Sequence, residues 1–344
     1  MMVRSKRFVV AALLAAALSA PAAAASSAKA PSAISLAQVL DAPSLVSYSG
    51  VVESVRIGDR GAQATVYRVE HRAPDLTRRT YTAPSEYLGV WELVKGNVTY
   101  TVDPARRRIV ETRNDATLRG RRALGDDAQL IAANYRASVA GFENFDGRPV
   151  VDVLLVNKHT GRGTMFVRID RETKIVLDKQ EFGPDGSLIS EIRLERIAYK
   201  PVPAIDFTLP NDYAVVRAQV LRESSHDTAR LVRDAGFGAR RPQPLPEGFS
   251  SVDGNIVDLH GVRTVRFLYS DGIRTLSLFE SATAVSPNLA PLHPQTLRIG
   301  NRDAQYAEEG DVALLSWNDG TLYYTLVGEL GRADIQRLAA AINP

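Results

Sequence analysis

The sequence predicts an α+β protein in two parts: a larger N-terminal unit built on an antiparallel meander, and a smaller C-terminal unit of short strands and helix. Three observations carry this. Apolar and polar residues alternate with period two through 64–72 and 97–102, as half-buried antiparallel strands require. Apolar runs at 149–156, 163–169, 175–182 and 188–197 follow one another across hairpin-like connections, which suit a meander and not a doubly wound parallel sheet. Residues 236–246 hold two Gly, three Pro and the pair Arg240-Arg241, and read as a linker between this region and a second series of strands.

At the start of the chain, Arg4, Lys6 and Arg7 precede an uncharged apolar core from Phe8 to Leu18 and the small residues of 20–25. This is the order of a secretory signal peptide, with cleavage after Ala24 or Ala25; the alternative is an uncleaved N-terminal anchor. The apolar core is not followed by a Cys, so no lipoprotein processing is expected, and the chain contains no Cys at all. Thiol catalysis, Zn–Cys sites and stabilising disulfides are therefore excluded, and the hydrophobic core must hold the fold alone. Three of the 42 basic residues lie in the first 25 positions, which contain no acid, so residues 26–344 balance at 39 bases against 39 acids. The basic character of the whole chain belongs largely to its export segment and gives no support to nucleic-acid binding.

Residues 26–40 read as a leader, with a short helix at 34–40 presenting Leu36, Val39 and Leu40 on one side. The N-terminal unit follows over 41–210. In 64–72, Tyr67 and Val69 share one face; in 97–102, Val98, Tyr100 and Val102 do. Gly58-Asp59, Gly96-Asn97 and Asp103-Pro104 supply turns. A helix is expected over 126–139, where Asp126 and Asp127 suit the positive end of the dipole and Leu130, Ile131 and Val139 recur at helical spacing. Residues 211–244 form a partly helical linker, with Val215, Val216, Val220 and Leu221 and then Leu231 and Val232 as its apolar members. In the C-terminal unit, 245–344, strands are expected at 262–269, 275–280, 304–308, 312–317 and 321–327, with Asp271-Gly272 and Asn318-Asp319-Gly320 as hairpin markers. A last helix at 332–342 places Ile335, Leu338 and Ala339 on one side.

Catalytic constellations are poor. The histidines, His71, His159, His226, His260 and His293, are scattered without an HExxH grouping, and there is neither a GxSxG elbow nor a phosphate-binding glycine loop. The adjacent acids Asp126-Asp127 and Glu308-Glu309 do not make a facing pair, since neighbours on a strand point to opposite faces. No enzyme, metal or cofactor is expected.

Three islands in the C-terminal unit resemble the MucB/RseB family of periplasmic regulators of sigma-E. Leu245-Pro-Glu-Gly-Phe249 with Val252 resembles that family's entry to its small C-terminal domain, and Phe267-Leu-Tyr-Ser-Asp-Gly272 its LYSDG hairpin. Thr325-Leu-Val-Gly-Glu-Leu330, leading into Ile335-Gln-Arg-Leu338, is similar to the closing strand and helix. Glu181-Phe-Gly-Pro-Asp-Gly-Ser-Leu188 adds a fainter likeness in the N-terminal unit. The resemblance implies an N-terminal LolA/LolB-like unclosed antiparallel half-barrel whose hydrophobic cleft takes lipid or lipoprotein acyl chains. It also implies binding to a transmembrane anti-sigma factor of the RseA/MucA type, in control of an envelope-stress response. A lipid or lipoprotein carrier of the LolA type is the alternative, and it accounts less well for the additional C-terminal unit.

Cleft candidates are Tyr67, Val69, Tyr81, Tyr87, Trp91, Tyr100, Met165 and Val167, each of which could equally fill an ordinary core. Arg106, Arg107, Arg108, Arg121, Arg122 and the hairpin residue Tyr269 are candidates for a partner surface; for the arginines, solvated loop charge is the competing reading.

Overall fold

The computed structural model describes residues 34–58, 61–96, 98–113, 124–183, 185–217, 220–222, 225–259, 261–284, 293–309 and 312–342. The signal peptide, most of the leader, Arg119, Arg121, Arg122 and His260 lie outside these residues.

In chain order the N-terminal elements are α1 (Leu36–Leu45), β1 (Tyr48–Gly58), β2 (Gly61–Arg72), β3 (Leu76–Ala83), β4 (Trp91–Lys95), β5 (Val98–Asp103) and β6 (Arg108–Arg113). They continue with α2 (Leu124–Asn134), β7 (Tyr135–Phe145), β8 (Arg148–Asn157), β9 (Gly163–Asp170), β10 (Val176–Phe182), β11 (Leu188–Ala198) and β12 (Ala214–Arg217). These strands form one twelve-stranded sheet in the order β12-β6-β5-β4-β3-β2-β1-β11-β10-β9-β8-β7, open at both ends. Every pairing is antiparallel except β12 with β6, which is parallel.

The C-terminal elements are β13 (Val220–Arg222), α3 (Thr228–Ala235), β14 (Ser250–Leu259), β15 (Val262–Ser270), β16 (Thr275–Ser281), β17 (Gln295–Ile299), β18 (Arg302–Glu309), β19 (Val312–Asn318), β20 (Tyr323–Gly328) and α4 (Arg332–Ile342). Their sheet runs β13-β14-β15-β16-β20-β19-β18-β17. Alternate residues Leu276, Leu278, Leu315 and Leu326 are buried against Ile335, Leu338 and Ala339 of α4 and Leu231 of α3. The face read for the last helix is therefore the one that packs.

Three expectations are corrected. The helix at 126–139 ends at Asn134, and Tyr135 begins an eleven-residue strand in which Val139 pairs with Val153. Sheet pairing with β8 outweighs the weak helical period of this segment. Residues 214–217 and 220–222 are strands, and only 228–235 is helical. Val215 and Val216, β-branched residues suited to a strand, lie opposite Ile109 and Val110 at the sheet edge. The leader helix continues past residue 40 to Leu45, so that Ala42 enters the core beside Val52, Val69 and Leu194.

A buried acidic side chain lies in the C-terminal core. Glu280 is fully buried, and its Oε2 accepts the backbone N–H of Arg240, from the linker, at 2.7 Å. Burial pushes its carboxyl up to about 8 despite that N–H and the nearby guanidinium. The folded state then keeps a proton that the unfolded chain releases near the ordinary carboxyl range. Glu280 should therefore subtract about 1.4 kcal/mol of stability per pH unit between that range and about 8. The expected outcome in urea unfolding is that E280Q gains on the parent chain as the pH rises from 5 to 8, and that the two lines run parallel below pH 4.

Candidate functional site

Strand pleating gives the large sheet two chemically different faces. Pairing of Val52 with both Tyr67 and Leu194, and of Tyr67 with Tyr81, puts these four residues on the face that carries α1 and α2. The same parity places Lys179, Glu181, Met165, Val167, Val153, Leu155 and Val139 on this inner face. Helix α1 is anchored there by His71, whose Nε2 meets the Pro43 carbonyl at 2.5 Å and whose Nδ1 meets Thr77 Oγ1 at 2.8 Å. Burial lowers the His71 pKa, so the ring is neutral at neutral pH.

Of the cleft candidates, Tyr67, Val69, Tyr81, Met165 and Val167 share the inner face. Tyr67, Tyr81 and Tyr87 form a ladder with ring centroids 5.4 and 5.8 Å apart, running from the sheet to a 3-10 turn at Ser85–Tyr87 where Tyr87 and Leu88 are exposed. Burial raises the pKa of the Tyr67 and Tyr81 hydroxyls. The inner face is not purely apolar: Arg79 pairs with Glu92 at 3.2 Å beside this ladder, and Lys179 with Glu181 further along.

Trp91 and Tyr100 do not belong to this group. They lie on the opposite face, packed with Leu93, Val102 and Ile109 beneath Phe207, Leu209 and Tyr213 of the segment after β11, with Arg78 4.3 Å over the Trp91 ring. The aromatic content of β4 and β5 is core on the outer side, because neighbouring residues of a strand face opposite ways.

Among the partner candidates, Arg106 and Arg107 are exposed and paired with Asp103 and Asp212, and Arg108 is exposed at the start of β6. Tyr269 is the correction: it is 1% exposed within the C-terminal core and offers no surface.

The residue that sequence reasoning missed is Asn134. It ends α2, is buried, and donates through Nδ2 to Gly248 O at 2.8 Å and to Asp271 O at 2.9 Å, while its Oδ1 lies 3.0 Å from His159 Nε2. Gly248 and Asp271 belong to two of the three C-terminal islands picked out in the sequence, so one side chain from the N-terminal part gathers both. Beside it, Tyr135 donates its hydroxyl to Asp271 Oδ2 at 2.7 Å. The Asp271 carboxylate also accepts the backbone N–H groups of Ile273 and Arg274 and the Arg274 guanidinium. Every acceptor site of this fully buried carboxylate is in use, which makes its burial tolerable. Gly272 has φ +102°, and a Cβ there would lie 2.6 Å from the Ile131 backbone nitrogen, so only glycine lets the hairpin tip seat on α2.

A cavity of about 610 Å³ opens beside this junction. Its walls come from both parts of the chain: Asn157, His159 and Thr160 on one side, Leu245, Phe249, Arg274 and α4 on the other. None of the expected cleft residues lines it. Among the described residues, no group of His, Asp and Glu has the arrangement of a metal site, and no helix is long and apolar enough to cross a membrane.

An open sheet with two helices on one face, joined through a buried hairpin tip to a second sheet, defines a two-part protein of surfaces and grooves. Its fold is that of MucB. MucB of Pseudomonas aeruginosa in complex with MucA matches with a TM-score of 0.63 at 17% identity, over 90% of this chain and 97% of that one. A MucB complex with MucA(peri) matches at 0.61 and 18%, over 90% and 97%, and MucB alone at 0.54 and 16%, over 89% and 95%. Residues 239–342 match a family model described as a domain of unknown function, DUF4367. No curated protein matches the sequence.

Replacing Asn134 by Ala would strip one buried and one half-buried carbonyl of their donor. The expected cost is roughly 2–4 kcal/mol in urea unfolding, together with faster amide exchange at Ile273 and Arg274 than in the parent chain. Unchanged exchange there would show that the junction is held by other contacts.

Proposed function

We propose that this chain is an exported, extracytoplasmic regulator that binds the exported segment of a membrane anti-sigma factor and carries an alkyl-binding surface on the inner face of its large sheet. The observation that carries the reading is the extent of the MucB fold: it spans both parts of the chain, including the C-terminal unit, and two of the matching structures are MucB bound to MucA. Export rests on the N-terminal sequence, with its cationic start, apolar core and small residues at 20–25. The chain acts by binding and not by catalysis, and through it envelope stress reaches a sigma factor.

The alkyl-binding part of the proposal is supported by the inner face itself. Val139, Val153, Val167 and Met165 lie side by side across β7, β8 and β9, and Val139 remains 61% exposed. The exposed end of the strip at Val139 offers a hydrocarbon chain its first apolar contact, and Val167 and Met165 continue the strip beneath Ile273. The exposed Arg106, Arg107 and Arg108 at the far end of the sheet are offered as a partner surface, with Arg121 and Arg122 as further candidates.

Capture of the exported chain from envelope extract should enrich a single-pass membrane protein whose cytoplasmic part binds a sigma factor. Recovery of outer-envelope lipoproteins alone would favour the carrier reading. In the same preparation, mass spectrometry of the purified chain should find retained acyl lipid. Lipid-free protein that no lipid stabilises would remove the alkyl-binding part and leave a dry adaptor.

A further inference from the structure

The tip of the β15–β16 hairpin reaches across to the large sheet. Ile273 packs against the inner-face cluster of Tyr135, Leu155 and Met165, which Ile131, Val153 and Val167 surround. This apolar cluster of the inner face is therefore packed against by a side chain from the C-terminal unit. From this cluster an apolar track leads outward, since Val167 pairs with Val153 and Val153 with the exposed Val139 on edge strand β7. A hydrocarbon chain entering along Val139 meets Ile273 at the inner end of the track.

We propose that Ile273 is a plug: an alkyl chain and this one side chain compete for the surface formed by Leu155, Met165 and Val167, and occupation by alkyl lifts the hairpin off the large sheet. The inference rests on the alkyl-binding reading given above and adds its consequence for the joint between the two parts. The occupant is the alkyl chain of a single-tailed amphiphile, because Leu155, Met165, Val153 and Val167 around Ile273 are aliphatic and the Tyr135 hydroxyl is already spent on Asp271. The coupling follows from the geometry of the tip. Asp271, Gly272 and Ile273 are consecutive; Gly272 sits hard against Ile131, and Asp271 is held by Asn134 and Tyr135. Ile273 therefore has no way to leave alone, and its displacement must strain or break the hydrogen bonds beside it. Thermodynamic linkage makes the effect reciprocal: whatever loosens the hairpin must strengthen alkyl binding by the same factor.

The test uses the whole exported chain and dodecylphosphocholine below its micelle-forming concentration. As the chain has no Cys, spin labels at Glu172→Cys and Arg298→Cys, both on exposed side chains of different sheets, report the distance between the two parts without background. The expected result is that the amphiphile broadens this distance distribution and that I273A binds it about tenfold more tightly. N134A, which leaves the apolar surface intact, should also bind it more tightly. Binding of equal strength in all three proteins, with an unchanged distance distribution, overturns the plug while leaving an alkyl site elsewhere on the inner face. Absence of binding in all three overturns the plug together with the alkyl-binding reading. Tighter binding in I273A alone, at unchanged distance, makes Ile273 a lid on the site with no coupling to the joint and overturns the proposal as stated.

Discussion

Asn134 is the point on which the arrangement of the two parts depends. Its amide is buried and spends both N–H groups on carbonyls of the C-terminal unit, one from the loop before β14 and one from the hairpin between β15 and β16. Away from water a carbonyl that loses its donor is costly, whereas the net gain from the bond itself is small. The junction is thus specified by what it would cost to open more than by the strength of any one contact. The carboxylate of Asp271, with four protein donors, works in the same way.

Around this joint the large sheet divides its chemistry by face. The outer side of β4, β5 and β6 is closed by the segment after β11, and the outer side of β8, β9 and β10 carries Arg168 bridging Asp152 and Asp178 between the rings of Phe145 and Phe166. The inner side is left half-covered, by α1 over the central strands β2, β1 and β11 and by α2 with Ile273 over β8 and β9. Charged pairs such as Arg79 with Glu92 interrupt its apolar surface, so a ligand there meets a hydrocarbon strip with polar stations rather than a uniformly greasy trough.

Much of the architecture was legible in the chain. Strands with strict alternation or with short turns between them were placed to within three residues, because a period of two and the residues of tight turns are local signals. The Asp271-Gly272 hairpin and the buried face of the last helix belong to the same class. Segments with little local signal went the other way: Tyr135 onward, 214–217 and 220–222 carry apolar residues that fit a helix about as well as a strand, and they became strands because Asn157, Val153, Ile109 and Val257 were there to pair with. Among the site residues, Tyr67, Val69, Tyr81, Met165 and Val167 were brought to one face, whereas Trp91 and Tyr100 were not. The choice between faces depends on register across several strands, which no single strand records.

By itself the sequence determined the elements that depend on neighbours in the chain: alternating strands, turns, and a glycine where a hairpin tip allows nothing larger. It also carried the three islands from which the MucB-like fold was expected. The tertiary structure alone decided that two of those islands meet at Asn134, that Tyr269 is core and not surface, and that Ile273 covers the inner face of a distant sheet. The first and last of these join residues more than a hundred positions apart. Asn134 is placed by burying polar groups where a partner waits, and Tyr269 and Ile273 by burial of apolar surface; both conditions exist only once the chain has folded.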